Sequence, residues 1–128
     1  MKILVEKIIF VDSSIHVDFS TDYGKATALW EGEKPTINFE YHVEIDIDDS
    51  LTWEKDIIKN ETGEYSIQMH DNRIFLAGML DSVDDDGYAV LRIGESIITF
   101  VTNGIPFVNG SFIKLISKTV TLSQIDYF

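Results

Sequence analysis

The chain has 128 residues, of which 45% are hydrophobic, 12% are aromatic and 25% are charged. These values are typical of one globular domain that is long enough to bury a single core. The 22 acidic residues outnumber the 10 basic ones and give a formal net charge of -12, which disfavours binding to nucleic acid or to an anionic membrane surface, because both need lysine and arginine.

The absence of cysteine excludes disulfides, thiol catalysis and thiolate metal sites, and it fits a reducing compartment. The first residues, MKILVEKIIFV, contain Glu6 and Lys7, which interrupt the apolar run before it reaches the length of a signal peptide. No apolar run is long enough to span a bilayer. We therefore expect a cytoplasmic protein without a membrane partner.

Alternation of apolar and polar residues predicts antiparallel strands in the first third of the chain. The segments 2–11 and 15–20 are separated by the polar turn Asp12-Ser13-Ser14, which predicts a hairpin. The segment 25–30 predicts a third, short strand. Pro35 then permits only the start or the edge of a strand.

The segment 36–50, TINFEYHVEIDIDDS, has the longest alternating pattern in the chain. Its apolar phase predicts one strand with six side chains facing the core: Ile37, Phe39, Tyr41, Val43, Ile45 and Ile47. The opposite phase contains four acids, and a fifth follows at the end of the segment. We call this set the acidic stripe: Glu40, Glu44, Asp46, Asp48 and Asp49. His42 lies on the same phase. Residues 1–64 hold 15 acidic and 6 basic residues, so most of the negative charge lies in this half of the chain.

The next segment predicts the only helix. Asp49 or Ser50 could cap a short helix over residues 51–60, with Trp53, Ile57 and Ile58 on one face.

The remainder predicts a meander of strands at 64–69, 73–83, 88–93, 96–102, 111–116 and 119–125. Strands so short and closely spaced predict an all-β fold, either an antiparallel small barrel or a sandwich. We expect one domain over residues 1–128, in which a sheet from residues 1–48 packs on a meander or barrel from residues 64–128.

The stretch LAGMLDSVDDDGYAVLRIGESIITFV, followed by NGSFIKLISKTVTLS, resembles the meander of an OB-fold or a related small barrel. The resemblance covers residues 73–125 and is one of strand pattern. It implies an OB-like barrel and brings no functional motif.

The sequence contains no complete catalytic or metal-binding motif, so we predict no catalytic residue, no metal site and no cofactor. The turn around Asp84 and Asp86 partly matches a calcium loop, but Ile93 stands where that loop needs a glutamate, so we predict a hairpin turn. His16 and His70 do not belong to a metal motif, and no serine lies in a nucleophile motif.

Three explanations are open for the acidic stripe. It could be a solvated sheet face whose charge discourages aggregation, a docking surface for a basic protein, or a site for a divalent cation. The segment 36–50 contains no lysine to balance the acids, although cross-strand pairing would favour one. Trp53 could anchor such an interface or lie on the buried face of the predicted helix.

We therefore expect a non-enzymatic, acidic protein-binding domain, such as an inhibitor or immunity-type protein that masks a basic partner. Its expected contact residues are the acidic stripe, His42 and Trp53. Two alternatives remain: a hydrolase that uses surface carboxylates or a metal ion, and an OB-type nucleic-acid binder, which the net charge disfavours.

Overall fold

The computed structural model of the protein describes residues 1–125, and this part of the chain folds into strands, turns and loops without a helix. The strands, in chain order, are β1 (Lys2–Val11), β2 (Ser14–Thr21), β3 (Gly24–Glu31), β4 (Glu40–Ile47), β5 (Leu51–Thr52), β6 (Ile57–Lys59), β7 (Ser66–His70), β8 (Arg73–Val83), β9 (Tyr88–Ile93), β10 (Ser96–Asn103), β11 (Phe112–Ser117) and β12 (Val120–Gln124). The predicted all-β class is confirmed.

Five of these strands form a closed barrel. β1, β2 and β3 make an antiparallel meander, and β4 returns to pair with the free edge of β1. β12 then pairs antiparallel with β4 and parallel with β3, which closes the ring. The barrel interior contains buried side chains from all five strands: Val5, Val17, Phe19, Ala28, Val43 and Leu122. The small barrel is therefore confirmed.

The barrel is not formed by the segment that resembled an OB-fold meander. Of residues 73–125, only β12 belongs to the closed ring. The strands between β4 and β12 continue the same hydrogen-bonded sheet beyond β3, and we call this part the second sheet. In it, β8 pairs with β7, β9 and β11, while β10 pairs with β9 and β5. The predicted meander is confirmed for the consecutive pairs β7–β8, β8–β9 and β9–β10. It is wrong for β11, which pairs with β8 and β6, and for β12, which joins the barrel.

The predicted helix over residues 51–60 is wrong. Leu51–Thr52 pairs with the end of β10, and Ile57–Lys59 pairs with β11. Between these two short strands, Glu54 has a φ of 69°, which is incompatible with a helix, and the Asp56 carboxylate accepts the Thr52 amide at 2.8 Å. Because the segment is extended, Ile57 is buried and Ile58 is exposed, instead of both facing the core.

The strand predicted over residues 36–50 is shorter than its alternating pattern. β4 begins at Glu40, so Ile37 and Phe39 lie outside it and are 46% and 59% exposed. Asn38, between them, has a φ of 67°, and this left-handed residue breaks the strand geometry that the pattern predicted.

The barrel and the second sheet join where β3 meets β7. The Ile67 amide donates to the Tyr23 carbonyl at 2.9 Å, and Gly24 lies directly beside Ile67. Gly24 has a φ of 140°, and a Cβ atom at this position would lie 1.8 Å from the Ile67 carbonyl oxygen. The junction therefore requires glycine for both its conformation and its lack of a side chain.

We expect Gly24→Ala to destabilise the protein far more than Gly32→Ala. Gly32 also has a positive φ, of 112°, but no atom lies within 4 Å of the added methyl group. Gly32→Ala should cost about 1–3 kcal/mol through backbone strain alone. Gly24→Ala should cost at least about 2 kcal/mol more, because β3 and β7 must also separate. Urea denaturation measures both values, and equal midpoints would contradict this description of the junction.

Candidate functional site

The acidic stripe lies on and immediately after β4, which is an interior strand of the barrel sheet. β4 pairs with β1 through its first residues and with β12 through the rest. Val43, Ile45 and Ile47 are buried in the barrel, whereas Glu40 and Glu44 are exposed and Asp46 is half-buried. The expectation that one phase of this strand is apolar and buried is therefore met within β4, and the acids project outward.

One end of the acidic stripe has a basic neighbour. Lys2, on β1, forms a salt bridge with Glu40, with 2.9 Å between Nζ and Oε2. Glu40 raises the pKa of Lys2 mainly through this hydrogen bond. Both side chains are about 60% exposed, so the pair adds little to folding stability and can exchange partners easily.

The N-terminal ammonium of Met1 lies near Glu44. It donates to the Val43 carbonyl at 2.8 Å. Burial lowers the pKa of this ammonium group, and the Glu44 carboxylate acts in the opposite direction. Glu44 itself forms no salt bridge with a lysine or arginine side chain among the described residues.

Hydroxyl groups of β12 contact two further carboxylates of the acidic stripe, those of Asp48 and Asp46. Thr121 donates to Asp48 at 2.6 Å, and Ser123 lies 3.3 Å from Asp46. Ser123 is also 3.3 Å from a carboxylate oxygen of Glu31 on β3. Because a hydroxyl donor carries no charge, these contacts orient the carboxylates without neutralising them.

Glu31 is a site residue that sequence reasoning missed. It joins the outward acidic surface because β12 lies between β3 and β4 and pairs with both of them. Ser123 and Glu31 are 92 positions apart in the chain. No local pattern signals this proximity, since it depends on the closure of the barrel.

Asp49 differs from the other members of the acidic stripe. Its carboxylate accepts hydrogen bonds from the hydroxyl of Ser117, which is 1% exposed, and from the Lys118 amide at 3.3 Å. These contacts tie the end of β4 to the turn before β12. Asp49 is therefore a structural residue of the barrel.

Trp53 does not present its indole at the surface. It is only 5% exposed and packs edge-on against Phe107, with 5.1 Å between ring centroids. Its indole nitrogen, Nε1, is buried and has no hydrogen-bond partner among the described residues. Trp53 thus belongs to the core, as one of the two sequence-based interpretations held, but it directly follows β5 and forms a β-bridge with Ile57 instead of lying on a helix.

Two exposed apolar side chains lie immediately before the acidic stripe in the chain. Phe39 and Ile37 belong to the loop that leads into β4, and hydrogen bonds to β1 hold this loop in place. The Val5 amide donates to the Phe39 carbonyl at 3.0 Å, and the Asn38 amide donates to the Val5 carbonyl at 2.7 Å. The alternating pattern concealed these two residues, because it placed both in the core.

The other motifs considered from sequence have local structural roles. Asp84 accepts the amides of Asp86 and Tyr88 at 2.9 and 3.0 Å, which caps the hairpin between β8 and β9. Within residues 1–125, no set of three histidine, aspartate or glutamate side chains lies close enough together to hold a metal ion. The same part of the chain contains no helix that could cross a bilayer. His42 is exposed on the outward side of β4, among the acids.

We predict that two carboxylates of the acidic stripe contribute differently to folding stability. Asp49→Asn should lower the free energy of unfolding by about 1–3 kcal/mol. The side-chain NH₂ group of asparagine would face the Lys118 N–H, so two donors would oppose each other, and the bond from Ser117 would lose its charged acceptor. Glu44→Gln removes the same charge and should change stability by less than about 0.5 kcal/mol. Chemical denaturation of both variants tests this, and an equal loss would show that Asp49 is not a structural residue.

Comparisons with known proteins returned no relative for this chain. No protein-family model matches it, and neither the curated proteins nor the solved structures contain a significant match.

Proposed function

We propose that this protein is a non-enzymatic, cytoplasmic binding domain that docks onto a basic protein through the outward side of β4 and β12. The observation that supports this proposal is an acidic surface without a balancing set of cations. Glu31, Glu44, Asp46 and Asp48 form no salt bridge with lysine or arginine among the described residues. Lys2 is paired with Glu40 at one end of the surface.

The hydroxyl groups of β12 explain how such a surface can exist in a stable fold. Thr121 and Ser123 separate the carboxylates of neighbouring strands and give them neutral donors. A balancing lysine would stabilise the sheet but would lower the negative potential that a basic partner meets. Concentrated charge of one sign increases association rates and discriminates between partners, which fits an inhibitor or immunity-type protein.

Phe39 and Ile37 would supply the apolar part of the interface. Protein interfaces combine a hydrophobic centre with a polar rim, and aromatic residues are common among the side chains that dominate affinity. Both residues are exposed at the start of β4. In this proposal they, and not the buried Trp53, anchor the interface.

The architecture also supports an OB-type assignment of the barrel, which we propose as the finer description of the fold. β4, β1, β2 and β3 lie side by side in the order of a Greek key, and β12 closes the five-stranded ring. OB-type barrels often bind oligonucleotides, so nucleic-acid binding is the alternative function. The net charge of -12 disfavours it.

We predict that neutralising the outward acids abolishes capture of a basic partner. The variant Glu44→Gln/Asp46→Asn/Asp48→Asn should lose proteins that the native domain retains from a cell lysate, because it removes three of the four carboxylates that have no lysine or arginine partner among the described residues. Retention by the native domain should fall steeply between about 50 and 200 mM salt, since screening weakens exposed charges. Quantitative mass spectrometry of the retained proteins measures both effects.

A matched control separates the surface from the total charge. Glu61→Gln/Glu64→Gln/Asp85→Asn changes the net charge equally, at three exposed residues outside the acidic stripe. This control should retain the partner. If both triple variants lose it to the same extent, or if neither does, docking through β4 is wrong.

Phe39→Ala should weaken capture through loss of apolar contact, without changing its dependence on salt. Removal of an interface aromatic typically raises the dissociation constant by about tenfold or more. Ile58→Ala removes an exposed apolar side chain from β6 and serves as the control. Dissociation rates from surface plasmon resonance with the captured partner distinguish the two variants. Equal rates would show that Phe39 does not contact the partner.

A further inference from the structure

A groove of about 630 Å³ lies where the barrel meets the second sheet. Its volume falls within the range of about 300–1,000 Å³ that is typical of small-molecule sites. Its lining includes Tyr23 from the turn before β3, Lys25 from the start of β3, Gln68 and His70 from β7, Phe75 from β8 and Lys114 from β11. The groove is separate from the acidic stripe and shares no residue with it.

The charge of this groove is opposite in sign to that of the protein. Lys25 and Lys114 line it, and none of its lining residues is an aspartate or a glutamate. The whole chain has more than two acidic residues for each basic one. A groove lined by cations therefore lies within a strongly acidic molecule, and it attracts a ligand of negative charge.

Of the two lysines of the groove, Lys114 is the one without an acidic partner among the described residues. It lies on β11, where its side chain is only partly exposed. No carboxylate of the described residues lies within salt-bridge distance of its ammonium group. Because this ammonium group has no carboxylate partner, a bound anion would supply its counter-charge.

The side chains around Lys114 fit a ligand with an apolar or aromatic body. Gln68 lies opposite Phe75, and Lys114 lies opposite Ala77, two positions further along β8. Opposite residues, and residues two apart in a strand, point to the same face of a sheet. The face therefore presents an amide, an aromatic ring and an ammonium group side by side.

Lys25 and His70, which also line the groove, have exposed partners that an anion can replace. Lys25 lies 3.6 Å from Glu6, and its side chain is 75% exposed. His70 lies 3.2 Å from Asp71, and both of these side chains are largely exposed. Exposed pairs of this kind contribute little free energy, so their loss would not oppose ligand binding strongly.

We propose that this groove binds a small organic oxyanion on an aromatic body, with Lys114 as the main contact for the charge. Lys25 gives a second contact for the oxyanion, while Phe75 and Tyr23 contact the aromatic part. The shared chemistry is that of a carboxylate or a phosphate ester, both of which accept charge-assisted hydrogen bonds from lysine.

Three naphthalene compounds test the site in the intact protein: 1-naphthyl phosphate, 1-naphthoate and the neutral 1-naphthol. Titration followed by ¹⁵N-NMR should shift the backbone amides of Lys25 and Gln68. At least one of the two anions should bind about tenfold more tightly than 1-naphthol. The stronger of the two identifies the preferred oxyanion.

Substitutions at lysine residues assign the contact. Lys114→Met keeps the apolar stem and should raise the dissociation constant of the anion by about tenfold, whereas Lys114→Arg keeps the charge and should change it by less than about threefold. Lys55→Met is the matched control, since Lys55 is exposed in the turn before β6, and it should leave the dissociation constant unchanged. Unaltered amide spectra elsewhere confirm that each variant is folded.

Several results would overturn the proposal. Equal affinity for both anions and for 1-naphthol would show that charge does not matter, and equal effects of Lys114→Met and Lys55→Met would show that the site is elsewhere. Binding of a single-stranded oligothymidine at this groove, without binding of either naphthyl anion, would show that the groove binds a nucleic acid and not a small organic anion.

Discussion

Strand β12 hydrogen-bonds to β3 along one edge and to β4 along the other, and these two ladders remove both free edges of the barrel sheet. Without β12, β3 and β4 would each expose a row of unpaired amide and carbonyl groups, which is a common cause of aggregation. The whole second sheet is inserted between β4 and β12 in the chain. Formation of the barrel therefore requires contacts between distant segments, a property that is associated with slow folding.

Barrel closure also creates the acidic surface. β12 has no charged residue, and its outward residues are Thr121 and Ser123, which contact carboxylates on β3, on β4 and immediately after β4. The side chains that limit repulsion between the acids therefore come from a strand far away in the sequence. The same ladder orients Asp49 toward the buried Ser117, so one acid serves folding while its neighbours face solvent.

Several local features could be predicted from sequence because they depend on near neighbours. The hairpins around Asp12 and Gly87 and the limits of β8 and β9 follow from alternation and from turn residues. The helix over residues 51–60 could not be rejected in this way. Its apolar spacing suits a helix, but hydrogen bonds to β10 and β11 outweigh that local preference. Phe39 was placed in the core for a similar reason, since an alternating pattern does not show where a strand begins.

The sequence by itself determined an all-β protein with one face of β4 apolar and the other acidic, because both properties follow from a period of two along a single strand. Only the tertiary structure decided which strands close the barrel, that Glu31 joins the acids, that Trp53 is buried, and that Lys25 and Lys114 line one groove. Each of these depends on which distant strands pair. Main-chain amide and carbonyl groups can pair between any two strands, so the choice of partner is made by the packing of the whole core.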